Sequence, residues 1–396
     1  MALDASTVVG VVGAGAMGTG IAQVAAAAGQ HVVLADVVRG AADRARASIE
    51  KNVSRDVEKG RLSRGAADAL IARITFHASM LEQDVLCYRD CGLVIEAIVE
   101  QLEAKRALMG RLESVVASEA VLATNTSSLS ITAIAAGCKS PDRVIGLHFF
   151  NPPPVMPLVE VVPRAGGTSP LVDQAVALMR AWGKTPVVAS DTPGFIVNRV
   201  ARPFYGESIR ILEEGIADCS TIDWAMRTLG GFRMGPFELM DFIGNDVNFA
   251  VTRSVFEAMF YDPRYRPSLT QQRLVEAGQL GRKSGRGYYD YSPGVTAPEP
   301  NKNEASGRAI VDRVLAMLMN EAIDAVHMRV ASPADIDLAM TKGVNYPKGL
   351  LAWADELGAA AVLARMERLH SEYGEDRYRA SPLLRRVAKE GTRFLA

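Results

Sequence analysis

The chain is poor in cysteine, histidine and tryptophan: its 396 residues hold four Cys, five His and three Trp. Cys87, Cys91, Cys138 and Cys219 match no zinc-ligand spacing, and nothing in the chain suggests secretion. They read as reduced thiols, so the expected location is cytoplasmic and no metal is expected. An excess of charge is also missing, with 44 Lys and Arg against 45 Asp and Glu. That balance gives no footing for a nucleic-acid partner or an anionic membrane surface. No apolar run reaches the roughly 18–20 residues of a membrane span. Residues 8–12 are a first strand rather than the core of a signal peptide. What is present is ordinary globular material, 48% hydrophobic and 22% charged. At this length it implies two or three domains with a large core.

The first half alternates strand and helix. Apolar strands are expected at Val8–Val12, His31–Asp36, Arg73–Phe76, Gly92–Ala97, Val121–Thr124, Val144–Phe149, Leu158–Val162 and Thr185–Ala189. Helices fit between most of them, including Gly18–Ala28 and a long basic stretch over about Arg39–Gly60. Buried strands alternating with helices predict a doubly wound, largely parallel sheet. After Asp191-Thr192-Pro193-Gly194 the strand signals stop. Helices separated by glycine turns follow to about Tyr291, then a Pro/Gly/Asn/Ser-rich linker over 292–307, then a last helical segment from Arg308. The expected domains are thus 1–190, 191–291 and 308–396.

The last segment repeats the one before it at a constant offset of 114 residues (196 to 310). Ile196-Val197-Asn198-Arg199-Val200 aligns with Ile310-Val311-Asp312-Arg313-Val314. Glu207 falls on Glu321, Ile222-Asp223 on Ile336-Asp337, Gly235 on Gly349 and Asp241 on Asp355. So many matches at one offset predict a tandem duplicated helical domain.

Gly13-Ala14-Gly15-Ala16-Met17-Gly18 follows a strand and opens a helix, and Asp36 closes the next strand. In that context the glycines permit a tight turn, approach to a pyrophosphate and close helix–strand packing. Asp36 accepts ribose hydroxyls and repels a 2′-phosphate, which favours NAD over NADP. The fold class is therefore an α/β Rossmann-type N-terminal domain followed by two tandem all-α domains. A later strand ends at Glu96-Ala97-Ile98-Val99-Glu100, with Lys105 one turn into the next helix. From its sequence setting alone, Lys105 reads more readily as a solvated helix lysine than as a ligand group.

Leu147-His148-Phe149-Phe150-Asn151-Pro152 ends another strand, and its proline-rich turn brings Glu160 back alongside. A carboxylate on one ring nitrogen fixes the tautomer and leaves the other nitrogen to take a hydroxyl proton. Thr124-Asn125-Thr126-Ser127-Ser128 offers hydroxyls for a substrate oxygen, or a turn that caps the next helix. Asn198 can donate to a developing carbonyl oxygen, or close its own helix end. Its place in the second domain puts the expected site at a domain interface.

Together with Asp191-Thr-Pro-Gly-Phe-Ile-Val-Asn-Arg199, Gly235-Pro-Phe-Glu-Leu239 and Gly281-Arg-Lys-Ser-Gly-Arg-Gly-Tyr288, these motifs resemble the L-3-hydroxyacyl-CoA dehydrogenase family over the whole chain. The resemblance implies NAD-linked oxidation of (S)-3-hydroxyacyl-CoA to 3-ketoacyl-CoA, with His148 as base beside Glu160. It places Ser127 and Asn198 at the substrate. It places Gly13, Gly15, Ala16, Met17, Gly18, Asp36, Glu100, Lys105, Asn151 and Lys283 near NAD. It places Ser127, Asn52 and Lys59 at CoA, although family members often carry serine where Asn52 stands. The tandem domain and the run Tyr261-Asp-Pro-Arg-Tyr-Arg-Pro-Ser268 look like the phenylacetate-degradation branch, whose members oxidise 3-hydroxyadipyl-CoA; the linker is shorter than in that branch. Arg264 or Arg266 could then meet a distal carboxylate, or be solvated. The second copy carries Asp312 in place of Asn198, so it is expected to be catalytically silent. Its expected role is to supply the partner surface of an intramolecular pseudo-dimer, with a homo-oligomer left open. A related β-hydroxyacid dehydrogenase without CoA and a non-catalytic NAD-binding protein are the competing readings.

Overall fold

A computed structural model describes residues 3–77, 85–167 and 169–395. The chain divides into two compact units, Met1–Thr192 and Pro193–Ala396. The first is built on strands β1 (Val9–Val12), β2 (Val32–Ala35), β3 (Ile74–His77), β4 (Leu93–Glu96), β5 (Val121–Thr124), β6 (Val144–Phe149), β7 (Leu158–Pro163) and β8 (Thr185–Val188). They form one sheet in the order β3-β2-β1-β4-β5-β6-β7-β8. Strands β1 to β6 are parallel, β7 runs antiparallel to β6, and β8 follows β7. Helices of this unit are α1 (Ala16–Ala27), α2 (Ala41–Glu58), α3 (Arg64–Ala72), α4 (Leu102–Glu113), α5 (Ile131–Ala135) and α6 (Ser169–Ala181).

Alternate strand residues, among them Val9, Val11, Leu93, Ile95, Ile145 and Leu147, face one cluster with Ile21 of α1, Ile49 of α2, Leu70 of α3 and Leu178 of α6. The other faces are buried as well: β1, β4, β5 and β6 have no exposed residue. That is why these strands read as continuous apolar runs rather than as alternating ones. The chain leaves β1 toward β2 on one side and returns to β4 on the other, so a crevice opens at the carboxyl ends of β1 and β4.

The second unit is helical: α7 (Val197–Val200), α8 (Arg202–Glu213), α9 (Cys219–Trp224), α10 (Pro236–Ile243), α11 (Asn245–Ala258), α12 (Leu269–Glu276), α13 (Glu304–His327), α14 (Pro333–Gly343), α15 (Leu350–Leu357), α16 (Ala359–Tyr373) and α17 (Pro382–Glu390). Helix α13 begins four residues before Arg308, because Asn303 caps it through Ser306 N. The repeat is visible in its hydrogen bonds. Asp223 accepts from Phe237 N and Glu238 N, both at 2.9 Å. Asp337 accepts from Leu351 N at 2.8 Å and Ala352 N at 2.9 Å, the same contacts moved by the offset. Gly235 and Gly349 recur because a Cβ at either would strike the carboxyl group of Asp223 or Asp337.

The two copies exchange buried ion pairs. Arg199 reaches Glu321 at 2.6 Å, and Arg313, its equivalent, reaches Glu207 at 3.0 Å. Tyr265 donates to Glu321 at 2.5 Å and Tyr378 to Glu207 at 2.9 Å. Arg264 is committed here too, 3.1 Å from both Glu321 and Asp324 and only 3% exposed. It is therefore not the group that meets a distal substrate carboxylate. Arg266 is exposed. No disulfide joins the four cysteines, and burial pushes the Cys91, Cys138 and Cys219 thiols up to about 12, 11 and 12.

Burial alone would raise Glu321, but Arg199, Arg264 and the bonds from Tyr265 and Arg199 hold its carboxyl at about 2 against an ordinary 4.5. A carboxyl held low by folding contributes stability above its unfolded pKa, and that part is lost as pH falls from about 4.5 toward 2. Replacing Glu321 by Gln leaves two buried guanidinium groups sharing the single carboxylate of Asp324. We expect urea unfolding to show a loss of about 3–5 kcal/mol, and a shallower fall in stability over that acid range.

Candidate active site

The glycine loop is shaped by contacts a side chain would break. Gly13 holds φ +101°, and a Cβ there would stand 2.6 Å from the Ala97 carbonyl. A Cβ on Gly18 would collide with the Gly13 carbonyl, whereas Gly15 faces open space. Gly15 is also the N-cap of α1, and no side chain caps that helix, so its first N–H groups face outward. Asp36 braces the loop, accepting from Ala14 N at 2.6 Å and Val38 N at 2.7 Å. An uncapped helix start, an open glycine and a carboxylate at the end of β2 fit a dinucleotide with free ribose hydroxyls.

His148 and Glu160 sit opposite each other in the antiparallel β6–β7 pair. His148 Nδ1 lies 2.6 Å from Glu160 Oε2, with the glutamate fully buried. The Phe150 ring lies 4.5 Å from the imidazole, and Asn125 Oδ1 accepts from Phe149 N at 2.8 Å. That bond ties the end of β5 to the end of β6. Lys184 holds the reversing turn by donating to the carbonyls of Pro153 and Met156. Pro153 in turn packs on Gly20 of α1. The sequence reading missed Lys184, since nothing local marks a lysine whose partners lie some thirty residues earlier.

A second network lies at the ends of β4 and β5. Lys105 is only 1% exposed, 2.6 Å from Glu96 and 3.1 Å from Glu100. The expectation of a solvated helix lysine is thus overturned, because the burial comes from the strands packed against α4 and not from α4's own pattern. Glu96, also unforeseen, accepts from Thr124 Oγ1 at 2.7 Å and Ile98 N at 2.7 Å. Glu100 accepts from Thr126 Oγ1 at 2.5 Å and Ser127 N at 2.9 Å. Burial pushes Glu100 up, but Lys105 and these donors outweigh it and hold the carboxyl below its usual range. Ser127 is thereby positioned by an anion.

A cleft of about 700 Å³ brings together Gly15, Ala16, Asn52, Lys59 and Asn151. Arg44, Arg55 and Arg61 line it as well, and these were not foreseen. His148 and Ser127 are not among its lining residues. Asn198 is a half-buried residue of α7 in the second unit, and Lys283 there pairs with Asp246 at 2.6 Å. Asp312 pairs with Arg365 at 3.2 Å. Among the described residues no group of His, Cys, Asp or Glu could hold a metal ion, and no helix is long and apolar enough to cross a membrane.

Comparison with known proteins agrees with this geometry. Residues 8–192 match the model of the 3-hydroxyacyl-CoA dehydrogenase NAD-binding domain. Residues 194–291 and 310–393 each match the C-terminal domain of the same family. The chain belongs to the 3-hydroxyacyl-CoA dehydrogenase family. It is an NAD-dependent oxidoreductase with one nucleotide domain and a doubled helical domain. Over 96% of its length, and 97% of the relative's, it is 40% identical to a 3-hydroxyadipyl-CoA dehydrogenase of Escherichia coli K12. It is 40% identical to human mitochondrial hydroxyacyl-coenzyme A dehydrogenase over 71% of this chain and 90% of that one. A crystal structure of 3-hydroxybutyryl-CoA dehydrogenase from E. coli K12 superposes with a TM-score of 0.91 at 39% identity, covering 97% of this chain and 98% of that one.

Asp36 braces the glycine loop at the end of β2, where a carboxylate suits free ribose hydroxyls. Replacing Asp36 by Ser should raise the Kd for NADH about tenfold and narrow its preference over NADPH, both read by fluorescence titration.

Proposed function

We propose that His148 is the general base that takes the 3-hydroxyl proton of (S)-3-hydroxyacyl-CoA as the C3 hydride passes to NAD, with Glu160 as its partner. The observation that carries this is the buried 2.6 Å contact between His148 Nδ1 and Glu160 at the carboxyl end of β6. Glu160 accepts a hydrogen bond from Nδ1–H and so leaves the Nε2 lone pair for the substrate hydroxyl. As Nε2 takes that proton, the carboxylate stabilises the imidazolium. NAD in the cradle of Gly13–Gly18 supplies the hydride acceptor. Ser127, positioned by Glu100, donates to the substrate oxygen. On the sequence pattern we assign Asn198 a donor role toward the same oxygen. The cations of the cleft beside α2, Lys59 with Arg44, Arg55 and Arg61, suit the phosphates of CoA. Replacing His148 by Gln should lower kcat by roughly 10²–10⁴-fold while NADH titrates as in the wild type. Substantial residual turnover would remove His148 from the base role.

We propose further that the preferred substrate is a dicarboxylic 3-hydroxyacyl-CoA of the 3-hydroxyadipyl type. Support comes from the relative of that name, whose match spans both helical copies. Comparing kcat/KM for 3-hydroxyadipyl-CoA and 3-hydroxybutyryl-CoA tests it, and equal values would count against it.

The reciprocal pairs Arg199–Glu321 and Arg313–Glu207 support a third reading, that the chain is its own partner, a pseudo-dimer in one polypeptide with a single active site. Light scattering should then find a monomer at micromolar concentration. Deleting residues 304–396 should give a product that self-associates or aggregates, because Arg199 loses Glu321 and Asp324 and Glu207 loses Arg313 and Tyr378.

A further inference from the structure

The turn between β6 and β7 is short of hydrogen-bond donors of its own. Residues 151–157 read Asn-Pro-Pro-Pro-Val-Met-Pro, so four of the seven bring a carbonyl but no N–H. The N–H groups of Val155 and Met156 are both spent on one acceptor, the Pro152 carbonyl, at 3.0 Å each. The carbonyls of Pro153, Met156 and Pro157 are met from outside the turn, as backbone acceptors removed from water must be. Thr185 N donates to Pro157 at 2.8 Å. Lys184, the residue before it, donates through Nζ to Pro153 and, at 3.0 Å, to Met156. Lys184 is half-buried, and among the described residues no carboxylate pairs with it. Burial holds its ammonium below the ordinary lysine range. The cation has given up part of its hydration for two carbonyl dipoles of this one turn.

The turn has two sides. Lys184 and the start of β8 hold one of them. The other is a wall of the 700 Å³ cleft, which residues 151–155 line together with Arg55, Lys59 and Arg61. Lys184 itself is not among the residues lining the cleft. Pro153 is packed so closely on Gly20 of α1 that a Cβ there would stand 2.7 Å from the proline ring. Movement of the turn toward α1 is therefore blocked by contact. Movement away from α1 is resisted by the bonds from Lys184 and Thr185. His148 does not depend on the turn for its place, because it stands inside the β6–β7 ladder opposite Glu160.

We propose that Lys184 is a positioning residue for the binding of CoA: by holding the carbonyls of Pro153 and Met156 it fixes the cleft wall of residues 151–155 without touching the ligand. This rests on the reading of that cleft as the place of the CoA phosphates. The wall and the base are held by different bonds, so loss of the Lys184 ammonium loosens CoA binding and leaves the chemical step nearly intact. That pattern is the loss of binding shared by ground state and transition state.

The test compares the full-length wild type with Lys184→Met, which keeps the length and removes the donors, with Lys184→Arg, which restores donors, and with Lys59→Met in the cleft. The readouts are kcat and KM for 3-hydroxybutyryl-CoA and the calorimetric Kd of free CoA. Lys184→Met should raise KM and the CoA Kd about tenfold while kcat changes less than about threefold, and Lys184→Arg should recover most of the loss. A lower melting temperature with KM and CoA Kd unmoved marks a structural brace only and overturns the proposal. A fall in kcat with KM and CoA Kd unmoved overturns it too. Lys59→Met separates the proposal from the reading beneath it. If Lys59→Met weakens CoA and Lys184→Met does not, the cleft is the CoA site and only the role of Lys184 falls. If neither weakens CoA, the reading of the cleft falls with it. Should Lys184→Met fail to fold, Lys184→Gln, which keeps a donor for one carbonyl, decides the question by the same KM and Kd, with a partial loss expected and no loss overturning the proposal.

Discussion

A carboxylate removed from water must be met by a donor, and both units are arranged around glutamates that satisfy this demand. Glu96, Glu160, Glu207 and Glu321 are all fully buried. Each has a cationic or titratable partner within 3.0 Å: Lys105, His148, Arg313 and Arg199 respectively. Breaking such a pair is far more damaging than its net contribution suggests, because the remaining charge stays buried. Each pair therefore pins two elements together. Glu160 with His148 locks β7 against β6 near the carboxyl end of β6. Glu96 with Lys105 locks α4 beneath the loops that carry Glu100 and Ser127. Glu207 and Glu321 lock the two helical copies to each other.

The same constraint organises the helical unit. The Arg–Glu exchange obeys the internal symmetry, with tyrosines 265 and 378 and arginines 264 and 377 in equivalent places around it. Asp223 and Asp337 cap equivalent helix starts. Arg202 breaks the symmetry, with Ala316 in the equivalent place, and also breaks the pairing rule, having no carboxylate partner among the described residues.

Much of the first unit was legible because its signals are local. Strand ends fell within about a residue of the observed ones, since both faces of β1, β4, β5 and β6 are buried and their apolar runs are unbroken. Gly13, Gly15, Gly18 and Asp36 were legible because a dinucleotide cradle needs those residue types at those steps. Glu160 was legible because a proline-rich turn between two strands implies a hairpin, and a hairpin sets its register. Lys105 and Arg264 were misread for the opposite reason. Each sits in a locally polar stretch, and its burial is imposed by elements distant in sequence: Glu96 and the sheet for one, Glu321 for the other. Lys184 and the arginines of the cleft left no local trace at all.

The sequence by itself determined the order of elements, the nucleotide loop, the duplication and the identity of the His–Glu pair, because each is written in residue type and spacing along the chain. Tertiary structure decided which charges are buried and with whom. It turned Arg264 from a substrate candidate into part of the contact between the copies, and Lys105 from a surface residue into the brace of Glu100. It left Arg202 as a buried cation without a carboxylate. The reason is that desolvation is a property of the packed neighbourhood, and no window along the chain contains that neighbourhood.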